Sequence, residues 1–250
     1  MNTLLVLTIV LAILMAIIGG ETGVRSFFSI IINIALLIFV AMLISWGLNI
    51  PTITLIFVPL KLATIIFVGT GNSTVGKNAF FSSLFVCICI SILIFICQYF
   101  AQAAGMGLEV NDVLMGQSQE PGLNYSLIAI TVAIFSTLGA IAEAAVSITA
   151  GLVEIKNSKP TISKEELIQS GTTIGKDIIG TSMNTIIFGL FGSVLSLILW
   201  FYPLHYSWGE ILNDKLVINE LLIMMYSLIG VLLIIPLATR LLAHTLTTKR

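Results

Sequence analysis

The chain has 250 residues, 58% of them hydrophobic and 9% charged, with a mean hydropathy of +1.11 and a formal net charge of −1. Soluble domains carry about a quarter charged residues, so this composition excludes a soluble globule and assigns the membrane class. A near-neutral chain also lacks the basic stripe that neutralises phosphates, which excludes nucleic acid as a partner.

A helix needs about 20 predominantly apolar residues to cross the hydrocarbon of a bilayer. Seven segments satisfy this, at about 3–20, 27–47, 50–68, 79–103, 123–153, 178–201 and 219–242. The predicted fold is therefore all-α: one polytopic transmembrane helical bundle of about seven spans over residues 1–250. The first segment has no basic residues before it, and no small-residue cleavage pattern stands out where Gly19, Gly20 and Glu21 follow. It reads as a retained span rather than a signal peptide. Cys87, Cys89 and Cys97 share the fourth segment at a spacing that fits no metal or redox motif, so they read as small packing residues.

Basic residues orient the set. Arg25, Lys77, Lys156, Lys159, Lys164, Lys176, Arg240, Lys249 and Arg250 all fall on one side when seven spans alternate. The opposite loops hold Glu109, Asp112, Glu120, Glu210, Asp214 and Glu220, with Lys215 the lone basic residue. The N-terminus is thus expected outside and the C-terminus inside. The inner connection at about 154–177 carries Pro160 and then Ser163, an N-cap type, with Glu165 and Glu166 in the first turn near the positive helix end. That pattern predicts a short interfacial helix over about 163–175.

Ionisable groups within spans carry the chemistry, because a charge at bilayer centre costs about 2.5–3.5 kcal/mol on insertion scales. Glu143 lies eleven residues before Glu154, or about 16 Å deep, and Lys61 lies eight before Gly69, or about 12 Å deep. Similar depths allow an ion pair between the third and fifth spans, while Lys61 could instead snorkel to the inner edge. Residues 139–151 read GAIAEAAVSITAG, a small-residue face suited to close helix approach, and Ser147 shares the face of Glu143. In the sixth span, Thr181, Ser182, Asn184 and Thr185 follow Asp177, and Asn184 could approach Glu143 if the fifth and sixth spans are antiparallel neighbours. Each of these polar groups could equally serve as glue between helices.

Residues 71–78 read GNSTVGKN, close to a phosphate loop. The motif needs a preceding strand and a hydroxyl residue where Asn78 stands, so it reads as a Gly-rich turn and nucleotide binding is not expected. No HExxH or GxSxG occurs, and His205 and His244 lie near span ends. No enzyme, cofactor or metal is expected.

The block GAIAEAAVSI at 139–148, Glu154-Ile155, and SGTTIGKDIIGTSMNT at 170–185 resembles the signature region of the YibE/F family of bacterial multi-span membrane proteins. The matching positions are Gly139, Glu154, Ser170, Gly171, Gly175, Lys176, Asp177, Gly180 and Thr181, with Glu143 at the acidic position of the span. Glu143 stands where many members carry Asp, Lys176 where they carry Arg, and Met183 breaks the usual wording. The resemblance, closest to the shorter YibF-like branch, implies the bacterial plasma membrane and a YibE-like partner. A permease or ion-coupled transport component is expected, with Glu143, Asn184, Thr185, Lys61 and Ser147 as candidate site. The alternative is an assembly subunit that does not transport.

Overall fold

The computed structural model of the chain describes residues 2–70, 73–103, 124–201 and 205–248. The described elements are all helical: α1 Asn2–Ser45, α2 Ile50–Ala63, a π-helical turn Thr64–Val68, α3 Ser73–Ala101, α4 Tyr125–Ser158, α5 Lys164–Phe201, the short α6 Trp208–Asn213, and α7 Lys215–Thr248. Six helices are long and apolar enough to cross a membrane, which points to a membrane protein. Residues 104–122 of the expected outer loop, with Glu109, Asp112 and Glu120, lie outside the described residues, as do Gly71, Asn72, Lys249 and Arg250.

The first two predicted spans form the two arms of α1. Gly20 breaks the helix with φ 54° and ψ −135°, a combination open to glycine. A Cβ placed on Gly23 would collide with the backbone carbonyl oxygen of Met15. Residues eight apart in a straight helix are about 12 Å apart along its axis, so the chain must fold back between them. The six long helices therefore supply seven apolar arms. The arm before Gly20 buries little, with Leu4 76% and Ile18 82% exposed.

The core sits between α3, α4 and α7. Ile90 and Ile94 of α3, Leu138, Ile141 and Ile148 of α4, and Val231 and Ile234 of α7 are all buried in one cluster. α5 packs on α7 and α4 through glycine: a Cβ on Gly175 would collide with the Ile235 side chain, and one on Gly171 would meet Thr239 at 2.5 Å. Those two glycines let α5 approach α7 more closely than any side chain would permit.

The helix predicted at 163–175 and the span at 178–201 are one continuous helix, because nothing between them breaks the backbone. Its start carries the expected N-cap Ser163, and Glu166 completes a capping box with it: the Glu166 amide donates to Ser163 Oγ at 3.2 Å and the Ser163 amide to Glu166 Oε2 at 3.3 Å. Residues 73–78 of the turn expected at 71–78 are helical instead, since α3 begins at Ser73 and Lys77 lies in its first turns.

Candidate functional site

One stripe of α4 sets polar side chains among small and apolar ones: Gly139, Glu143, Val146, Ala150, Glu154 and Asn157 recur at helical spacing and line a cleft of about 540 Å³. Thr22 and Ser26 of α1, just past the Gly20 break, face them, together with Gly69, Thr70 and Val75 where α2 hands over to α3. Glu143 forms no ion pair or hydrogen bond with any described residue. Every charged or hydrogen-bonding side chain lining the cleft offers oxygen or amide groups. Such a lining suits a proton or a hard cation rather than a soft metal.

The wall opposite α4 is built around the π-helical turn. A π turn widens the helix and leaves carbonyl groups without their usual partners, and such turns recur at functional sites. Here Ser29 of α1 donates its hydroxyl to the Thr64 carbonyl at 3.0 Å. The Thr64 hydroxyl lies 3.1 Å from Asn33 Oδ1 and 2.8 Å from the Lys61 carbonyl, and Asn33 returns its amide to the Ser29 carbonyl at 2.9 Å. This cluster satisfies at membrane depth the groups that the π turn would otherwise strand. It fixes the second arm of α1 against the turn, and so the side of the cleft that carries Thr22 and Ser26.

Lys61 does not join Glu143. Its side chain is 8% exposed and its Nζ lies 5.0 Å from the centre of the Phe135 ring, a cation–π contact. Phe135 is eight residues before Glu143 on α4, about 12 Å along the helix. Similar depth on two helices therefore does not bring the two groups together: the rotation of α2 turns Lys61 toward Phe135, where the ammonium faces an aromatic ring rather than the carboxylate.

α4 and α5 are neighbours, with Gly151 of α4 3.5 Å from Ile174 of α5 as measured from an added Cβ. Yet Asn184 and Thr185 do not line the cleft: they are exposed on the far side of α5, with Lys176, Asp177, Gly180 and Thr181. Thr181 and Thr185 donate to carbonyls of their own helix, Asp177 and Thr181 respectively, at 3.1 Å. Ser147 is exposed beside Glu143 but outside the cleft lining, and Ser170 donates to the Glu166 carbonyl. Ser29, Asn33, Thr64 and Thr70 were not singled out from the sequence. The first three were signalled by a hydroxyl or amide within the second and third spans, weaker than a charge but of the same kind, and Thr70 lies just past the third.

The family described as YibE/F-like protein matches residues 7–248, nearly the whole chain. No curated protein and no solved structure matches.

Proposed function

This chain belongs to the YibE/F-like family, and from that premise we propose that it is a permease or ion-coupled transport component whose binding group is Glu143. The observation that carries the reading is a carboxylate without a partner among the described residues, facing a partly polar cleft halfway along a membrane-length helix. Glu154 and Asn157 lie three and four turns further along the same stripe, where they would lead a proton or hard cation from the helix end toward Glu143. An ionisable group at such depth is costly and is characteristic of ion and proton pathways. The role is binding and release, without covalent chemistry.

In this reading the protein lies in the bacterial plasma membrane with its N-terminus outside and its C-terminus inside. The support is the one-sided distribution of Arg25, Lys77, Lys156, Lys159, Lys164, Lys176 and Arg240. The decisive experiment is flux in proteoliposomes across a pH gradient. Glu143→Gln is expected to abolish pH-dependent flux while the protein still inserts and remains monodisperse. Wild-type flux in that variant would sink the mechanism.

A second reading, a non-transporting subunit of a complex with a YibE-like protein, is favoured by one feature. The stripe of α4 carrying Ser136, Gly139, Glu143 and Ser147 is exposed, and a partner's donor could satisfy the carboxylate there. Loss of complex rather than of flux in Glu143→Gln would select this reading.

A further inference from the structure

The exposed face of α5 changes character halfway along the helix. Its outer part presents Phe188, Phe191, Leu195 and Leu199, all more than half exposed, as a lipid-facing helix should. Its inner part, at the same helical spacing, presents Asp177, Gly180 and Asn184, with Lys176 and Thr181 at the edges. The threonine hydroxyls are satisfied within the helix. Asn184 is not: its amide makes no hydrogen bond with any described residue, and a Cβ on Gly180, one turn away, would meet nothing within 4 Å. Asn184 lies seven residues past Asp177, about 10 Å into the apolar stretch, where no water can serve its two N–H donors and its carbonyl.

We propose that this inner half of α5, centred on Asp177, Gly180 and Asn184, is the surface on which a second copy of the same chain docks. Membrane insertion gives every copy one orientation, so a two-fold axis must run along the bilayer normal and the two α5 helices meet in parallel. Each residue near the axis then faces its own counterpart. An amide suits that symmetry, since it both donates and accepts, so Asn184 satisfies Asn184 of the other copy. The charges suit it too: Lys176 and Asp177 are adjacent, opposite in sign, without an ion pair to any described residue, and at helical spacing flank the Gly180–Asn184 line on opposite sides. Two such faces exchange Lys176–Asp177 pairs reciprocally. Gly180 lies between the amide and the charges and lets the backbones approach. The exposed stripe of α4 lacks this property, because its charges, Glu143 and Glu154, are both acidic and no basic residue shares the stripe to exchange with them. That contrast selects α5 over α4 as the face for a second copy.

The test uses the full chain in lipid nanodiscs and in its native membrane. Wild type is expected to run as two copies by light scattering, and Asn184→Leu to weaken the association about threefold, the size of a typical interhelical hydrogen bond in membranes. Asp177→Lys should break the pair and the exchange Lys176→Asp with Asp177→Lys should restore it, which a merely misfolded variant would not do. In native membranes, with Cys87, Cys89 and Cys97 replaced by alanine, Gly180→Cys and Asn184→Cys should cross-link into dimers while Leu55→Cys, exposed on α2, should not. Single copies of wild type in nanodiscs, dimers that cross-link at Leu55→Cys instead, or cross-links from Gly180→Cys to a different protein would each overturn the proposal.

Discussion

α4 and α5 are adjacent helices of similar length, and both carry small and polar residues in a membrane-length apolar run. In α4, 44% of the most apolar stretch is buried, whereas in α5 none of it is. α4 is wedged between α3, α5 and α7 and leaves one stripe open. α5 touches its neighbours with one edge and leaves most of its circumference open. The same residue types therefore do different work. On α4 they face a cleft walled by α1 and the π turn; on α5 they face outward. Polar content marks a helix as more than a lipid-facing rod, but the number of neighbours decides what its polar groups meet.

The sharpest test of this contrast lies in the glycines. Gly23 sits against the Met15 carbonyl, and a backbone oxygen cannot rotate away, so Gly23→Ala is expected to cost about 3 kcal/mol or more and to open the α1 hairpin. Faster amide exchange over residues 15–23 would report it; unchanged exchange would mean that the fold-back is absent. Next come two glycines of one helix. Gly175→Ala should destabilise by about 1–3 kcal/mol, because its Cβ would strike the branched side chain of Ile235. Gly180→Ala meets open space within its own chain and, measured on single dissociated copies in detergent, should be neutral or stabilising by up to about 1 kcal/mol, since alanine is the better helix former. Equal effects in reversible detergent unfolding would break the distinction between the two faces of α5.

Smaller effects are expected where polar groups only support. Thr64→Val removes one hydroxyl from the Ser29–Asn33–Thr64 cluster and should cost about 0.6 kcal/mol, the usual size of such contacts in membranes. It should also loosen the α1 wall of the cleft, seen as altered flux kinetics without loss of pH dependence. The smallest concerns α6. Ser207 donates to the Glu210 carboxylate from its backbone amide and its hydroxyl, both at 2.7 Å, and so holds the Glu210 carboxyl below the ordinary glutamate range. A depressed folded pKa stabilises above the unfolded value, so the cap is intact at neutral pH and is lost as pH falls through the folded pKa. Amide exchange in α6 should quicken on acidification, and Glu210→Gln should remove that dependence.

Much of this architecture was legible in residue order. The spans follow from apolar runs because lipid offers no partner to a bare backbone. The α1 reversal coincides with the Gly-rich GGETGVR, and the α5 start with Ser163 and Glu166. Glu143 was legible because a charge in a span is conspicuous. Its partners were not. Depth along a helix can be counted from an edge, but rotation about its axis cannot, and rotation is what sets Phe135 rather than Glu143 against Lys61.

What the sequence determined by itself is the membrane class, the number of apolar arms and the one carboxylate deep within them, because those depend on composition and on rise per residue. Only the tertiary structure decided the rotation of each helix about its axis. Rotation follows from which small residues allow the closest approach. Gly171 and Gly175 turn one edge of α5 toward α7, and that turn carries Asn184 away from Glu143.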